Sequence, residues 1–422
     1  MRARDYTSKL MILVIMVLAY FITAASVLLL VHADVIERTP FTPDIADNTT
    51  DTETIAPFIL TNDALTAAIA YVEKNLRKPN GHINTYQALH LEQNITQFND
   101  TNSEAISYWL LIAAQQGDRA AFDSGLSFIE TYMMHPEGDY LMWRLDSEDN
   151  AIDEGRNMAP DADLRALHAL YIAKDRWSDP RYDTMIDRIA GGLERVALSD
   201  GNILIAYGGM GGETPWRGDV AYLAYSDFQV FDRLANTRGG RWIMVTSTMR
   251  NITLDAQIWN GLYNTEYRPG GYLTDGTKGT YGNGIDGGKY SINSLWIMVR
   301  FAESGDPTLM ESARKSLAFY EAQYTKDNRV YDAYLSSGEP ATSSESPWNY
   351  ALIARAASAL GEKSFSQIME RRMLNFQEKN PRLLHYGAFL EGAKGDERIG
   401  QFTMQESILT MQQIEGRAQR ID

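Results

Sequence analysis

The sequence predicts an all-α fold of six helical hairpins, preceded by one N-terminal transmembrane helix. Three observations carry this expectation. Apolar residues recur at helical spacing from Thr61 almost to the C-terminus. No Val/Ile/Thr-rich alternating run recurs at regular strand intervals, which argues against a β-sandwich or a Rossmann sheet. And Leu10–Val31 is an apolar run without a charge, long enough at about 1.5 Å per residue to cross a bilayer core.

The first element sets the topology. Arg2, Arg4 and Lys9 precede the apolar run, and Asp34, Glu37, Asp44, Asp47 and Asp51 follow it. The positive side stays in the cytoplasm. Residues 1–9 therefore read as a cytoplasmic tail and 10–32 as a transmembrane signal anchor, with the rest of the chain extracytoplasmic. Val31-His32-Ala33 would also serve as a signal cleavage site, releasing the same domain. The run exceeds the roughly 7–15 apolar residues of a signal peptide, which favours a retained anchor. Residues 33–60, rich in Asp, Thr and Pro, read as a flexible linker.

Residues 61–422 form the predicted helical domain. Ile106, Trp109, Leu110 and Ala113 share one helix face. So do Leu164, Leu167, His168 and Tyr171, and further on Ile292, Leu295, Trp296 and Val299. Helices are expected over 62–76, 103–116, 119–134, 161–175, 180–197, 219–236, 239–259, 289–304, 307–324, 345–360, 362–377 and 403–415. Twelve helices make six hairpins. The least helical stretch, 262–288, is rich in glycine, and its length suits either a binding loop or a concealed hairpin.

Composition excludes several classes. The chain has no cysteine, so disulfides, thiolate catalysis and zinc–cysteine sites are ruled out. Its formal charge of −16 repels nucleic acid and suits a neutral or cationic ligand. The six histidines form no H-x-H or H-E-x-x-H pair, and no metal or other cofactor is called for. Gly282, Gly284 and Gly287 satisfy G-x-G-x-x-G, but no βαβ unit surrounds them. Asp161-Ala162-Asp163 could pass for a glycosyltransferase D-x-D, again without the sheet it would need.

Three acidic positions remain. Ser103 is a good N-cap, with Glu104 in the first turn behind it. Asp161, after Pro160, opens another helix as a cap. Asp286 lies in the turn Gly284-Ile285-Asp286-Gly287-Gly288. Each alone is an ordinary helix start or turn.

In their order along the chain they resemble glycoside hydrolase family 8. Ser103-Glu104-Ala105 resembles that family's Ser-Glu-Gly. Gly117-Asp118-Arg119-Ala120-Ala121-Phe122-Asp123 matches its Gly-Asp-Arg-x-x-Phe-Asp, and Leu141-Met142-Trp143-Arg144 its apolar-Trp-Arg element. Ala159-Pro160-Asp161-Ala162-Asp163 is similar to its signature, and Ile285-Asp286-Gly287-Gly288-Lys289 to its Tyr-Asp-Ala-x-Arg. Ala105, Pro160, Ile285 and Lys289 depart from the pattern.

The resemblance implies an (α/α)6 barrel and an inverting hydrolase acting on a β-1,4-linked polysaccharide or exopolysaccharide. It makes Glu104 the general acid and Asp286 the general base, with Asp161 holding and distorting the sugar. Trp143, Asp163, Asp219 and Tyr222 would bind substrate. Two alternatives stay open on the same barrel. One is a non-catalytic glycan-binding or polysaccharide export and assembly protein. The other is a different carbohydrate enzyme, such as a chitosanase or a lyase.

Overall fold

Many helices of this protein start where a short polar side chain or a proline relieves the free backbone N–H groups of the first turn. The structure, a computed structural model, describes residues 62–88, 99–269, 279–392, 397–416 and 419–421. The expected cytoplasmic tail, transmembrane anchor (10–32) and linker (33–60) lie outside these residues. Among the described residues no helix is long and apolar enough to cross a membrane.

Twelve α-helices occur among the described residues: α1 (Asn62–Tyr71), α2 (Ser103–Gln116), α3 (Arg119–Phe128), α4 (Pro160–Trp177), α5 (Pro180–Gly192), α6 (Phe228–Arg238), α7 (Arg241–Asp255), α8 (Ile292–Glu303), α9 (Pro307–Asp327), α10 (Pro347–Ala359), α11 (Lys363–Leu374) and α12 (Gln401–Ile414). The Asp118, Asp179, Asp227 and Asp306 carboxylates cap α3, α5, α6 and α9, accepting from backbone N–H groups two or three residues on. Two expected caps shift. Asn102, not Ser103, caps α2, its Oδ1 accepting from Ala105 N at 2.8 Å. Ala159 precedes α4 without a side-chain cap, and Asp161 lies inside the first turn behind Pro160.

The helices alternate between two layers. Each of α2, α4, α6, α8 and α10 packs on the next, and α12 packs back on α2, closing an inner ring of six. The remaining helices form the outer layer: α3 backs α2, α5 backs α4, α7 backs α6, α9 backs α8, α11 backs α10 and α1 backs α12. This is an (α/α)6 barrel. Inner helices are buried nearly all round, as in α2, where 103 and 105–115 are all buried. Outer helices such as α5 bury one stripe only. Because one outer helix returns the chain between successive inner ones, the inner helices run in the same sense. Their N-terminal ends gather at one mouth.

Short strands accompany the helices, with neither a β-sandwich nor a Rossmann sheet among the described residues. Nine short strands occur among the described residues, paired in small antiparallel sheets. β1 (Tyr86–Ala88) pairs with β9 (Arg398–Gly400), β2 (Thr101–Asn102) with β3 (Arg144–Leu145), and β4 (Gly208–Gly211) with β5 (Thr214–Arg217). β6 (Ala221–Tyr222), β7 (Glu266–Arg268) and β8 (Thr280–Gly282) form the largest sheet. The helix expected over 219–236 therefore starts late, at Phe228, because Ala221–Tyr222 is recruited as a strand. The glycine-rich stretch 262–288 contains the β7–β8 pair, with Tyr267 opposite Tyr281.

Candidate active site

Glu104 and Asp161 are each the second residue of an inner helix, α2 and α4, and these helices pack along their length. The two carboxyl groups meet at the mouth and share a hydrogen bond. Burial and the neighbouring Asp161 charge push the Glu104 carboxyl up to about 8, against the opposing pull of Arg165. Asp161 is also raised by burial, but Arg165 and the Glu104 hydrogen bond pull it back. Glu104 is therefore the member of the pair that keeps its proton, donating it towards Asp161.

Two tyrosines close this corner. Tyr225, in the turn before α6, is driven well above its usual value by burial and by the Asp161 and Glu104 charges, which marks it as their neighbour. Tyr222 packs edge-on against Tyr225, ring centroids 5.5 Å apart. Trp143, half exposed, stands beside the acid: its carbonyl accepts from Ser103 N at 2.9 Å.

Asp286 lies on the opposite side of the ring's sequence, in the turn leading into α8. Its Oδ1 accepts from Ser291 Oγ at 2.7 Å and from Asn293 Nδ2 at 3.0 Å. Its Oδ2 is buried without a hydrogen-bond partner. Asn283 Oδ1 ties this turn to the sheet through Thr265 N at 2.8 Å. A Cβ at residue 284 would come within 2.6 Å of Glu266 Oε2, so a larger residue there would displace the Glu266 carboxylate.

The other two expected site residues stand apart. Asp163 has no exposed surface; its Oδ1 accepts from Leu141 N at 3.0 Å, and burial pushes its carboxyl well up. It anchors the segment carrying Trp143 and does not face the mouth. Asp219 is a rim residue, paired with Arg268 at 3.1 Å and largely exposed. Among the described residues no group of His, Asp or Glu is arranged to hold a metal ion.

Sequence reasoning missed several participants. Arg165, Tyr108 and Glu406 form a buried charged layer beneath Glu104 and Asp161. Arg165 was detectable as an arginine one helical turn beyond Asp161 on an otherwise apolar face. Tyr207, just before β4, and Trp216, on β5, were not detectable. Their hairpin is joined to the Trp143 segment through backbone bonds, Met158 N to Gly208 O at 2.8 Å and Trp143 N to Asn157 O at 2.7 Å.

Comparison with known proteins agrees with this architecture. Residues 82–267 match the model of glycosyl hydrolases family 8. Over this matched segment the chain is similar to the glycoside hydrolases of that family. The reducing-end xylose-releasing exo-oligoxylanase Rex8A of Paenibacillus barcinonensis is 34% identical over 83 residues. That stretch is 19% of this chain and only 21% of that enzyme's length. In fold, the chain is similar to an alpha-amylase from Clostridium perfringens, with a TM-score of 0.70 at 21% identity, covering 83% of this chain and 97% of that one. It is also similar to a beta-1,3-1,4-glucanase from Paenibacillus sp. X4, with a TM-score of 0.64 at 16% identity, covering 85% and 92%.

Proposed function

We propose that this protein is an inverting glycoside hydrolase that cleaves a β-1,4-linked polysaccharide or exopolysaccharide outside the cytoplasm. The observation that carries this reading is the pairing of Glu104 with Asp161. A glutamate raised to about 8 keeps its proton at neutral pH and can deliver it to a leaving glycosidic oxygen. Asp161 beside it would grip the sugar at the cleaved bond. Asp286 supplies the base: Ser291 and Asn293 fix one oxygen, leaving Oδ2 to take a proton from the attacking water. Inversion places that water between sugar and base, with the carboxyl groups about 6.5–9.5 Å apart.

Xylan and mixed-linkage β-glucan are the first substrates to try, since similar proteins are named for action on xylo-oligosaccharides and on β-1,3-1,4-glucan. Trp143 offers an apolar ring face for a sugar, Tyr222 lines the adjoining corner, and Asp219 stands on the rim. Asp163 contributes only by fixing the Trp143 segment. The apolar run at 10–32 would hold the domain at the outer face of a membrane.

The test is reducing-end release from xylan, β-glucan and chitosan, with the product anomer followed by proton NMR in the first minutes. Inverted product from the wild type, lost in both Glu104→Gln and Asp286→Asn, supports the reading. Binding without turnover on every polymer would favour the glycan-binding or export alternative. Retention of the protein in membranes after alkaline carbonate washing tests the anchor. A soluble chain beginning near Asp34 would replace it with a cleaved signal.

A further inference from the structure

Two helices carry matched pairs of residues one turn apart. On α2 these are Glu104 and Tyr108, and on α4 Asp161 and Arg165. The carboxyl groups meet at the mouth, and Tyr108 and Arg165 meet directly beneath them. The Arg165 guanidinium is 1% exposed and engaged on every side. Its Nη2 lies 3.4 Å from Asp161 Oδ2, and its Nη1 lies 3.2 Å from Ser107 Oγ, which in turn donates to the Glu104 carbonyl at 3.0 Å. Its plane lies over the Tyr108 ring at 3.8 Å and 5.3 Å from that of Trp296 on α8. Tyr108 is fixed from below by its hydroxyl's bond to Glu406 on α12. Glu406 accepts from Arg355 Nη1 at 3.1 Å, and Arg355 also grips Glu303 at the end of α8.

Burying an arginine this deeply is costly unless each of its groups is used. Among the described residues Asp161 is its only direct carboxylate partner, since Glu406 is taken by Tyr108 and Arg355. We propose that Arg165 is a positioning residue of the hydrolytic site, holding the Asp161 carboxylate ionised and turned towards Glu104 while fixing the first turn of α2 through Ser107. The inference rests on the hydrolase reading and deepens it.

Its physical content is a division of one proton between two carboxyl groups. The charged and titratable groups that act on the pair are Tyr86 from β1, Tyr108 from α2, Asp163 and Arg165 from α4, Tyr225 from the turn before α6, Arg300 from α8 and Glu406 from α12. Arg165 is the strongest opposing charge on both carboxyl groups, lowering each against its burial. Without it both carboxyls rise. Asp161 then takes up a proton nearer neutrality and stops being the anion that the sugar and Glu104 require.

The experiment uses the full-length protein with Arg165→Met, Arg165→Gln and Arg165→Lys. Two readouts are compared: the pH profile of kcat on the polymer that the wild type cleaves, and carbon NMR titration of the Glu104 and Asp161 carboxyls without substrate. In the two neutral variants both limbs of the profile and both titrations should move to higher pH. At neutral pH kcat should fall about 10²-fold, the scale of a displaced catalytic group. Arg165→Lys keeps the charge but cannot stack and fork together. It should restore the wild-type limbs with kcat about tenfold down.

A core arginine that merely fills space would lower Tm and activity without moving limbs or titrations, and that result would overturn the proposal. Should neither neutral variant fold, Arg165→Lys decides, because unchanged kcat there would rule out the clamp. If the wild type cleaves no glycan, the hydrolase reading fails. The titrations still show whether Arg165 sets the protonation of the pair.

Discussion

On the proposed reading, Glu104 couples function and stability at a single side chain. Its carboxyl titrates near 4.5 in an unfolded chain and at about 8 in the fold. A group raised in this way contributes its full stability below about 4.5 and loses it as pH rises through about 8. Glu104→Gln is neutral at every pH, so its Tm advantage over wild type should grow between pH 5 and pH 8.5. Calorimetry at the two pH values checks this, and an equal difference at both would mean that Glu104 titrates as an ordinary glutamate. The same variant should lose about 10²–10⁴-fold in kcat on a poor leaving group. Asp163 behaves differently because its task is internal. Asp163→Asn, which retains an acceptor for Leu141 N, should change stability by less than about 1 kcal/mol, whereas Asp163→Ala, leaving that donor unpaired, should cost about 1–3 kcal/mol by urea denaturation. The three acidic positions could be named as candidates from motif order alone. The roles of Asp163 and Arg165 could not, because burial and partners across helices leave no trace in local spacing.

Helices were legible in this sequence because they are long enough for a period to repeat. Twelve expected segments correspond to twelve observed helices, and most begin within three residues of a polar cap or proline. Strands of two to four residues offer no period to read, so the mouth, where they concentrate, was invisible. The turns after the outer helices carried a usable signal. Pro79-Asn80-Gly81 follows α1, Pro136-Glu137-Gly138 follows α3, and Asn260-Gly261 follows α7, each beside an isolated antiparallel bridge that sends the chain back inward. At Gly261, φ is +97° and a Cβ would stand 2.5 Å from the Lys315 carbonyl oxygen. Gly261→Ala should therefore destabilise by about 1–3 kcal/mol in urea titration without changing KM, since this turn packs on the outer helix α9. The β4–β5 hairpin should do the reverse. Trp216, half exposed and 6.3 Å from the Tyr207 ring, presents an aromatic face on the hairpin that bonds to Met158. Trp216→Ala should raise KM about tenfold on long polymer and little on a short oligosaccharide, with kcat and Tm held. Equal effects on both substrates would detach the hairpin from the binding path.

The barrel as a whole depends on joining its last inner helix to its first, a contact across almost the full described chain. α12 makes that joint with amide side chains as well as apolar ones. Gln405 Nε2 donates to the Ala105 carbonyl of α2 at 2.9 Å and Gln412 Nε2 to that of Ile112 at 3.1 Å, while Thr410 Oγ1 bonds the Ala351 carbonyl of α10 at 3.1 Å. All three side chains are fully buried. Such bonds fix how far α12 slides along α2, which apolar packing alone constrains weakly. That register sets the height of Glu406 under Tyr108, and so of the layer on which Glu104 rests. Replacing both glutamines by leucine keeps approximate volume but frees the slide. Hydrogen exchange should then rise in α2 and α12 together and leave α7, which backs α6 away from the seam, protected as in wild type. Glycan turnover should fall more than Tm does, because the seam places the acid before it holds the fold. If exchange instead rises evenly over every helix, the glutamines are general core residues and the ring has no special point of closure.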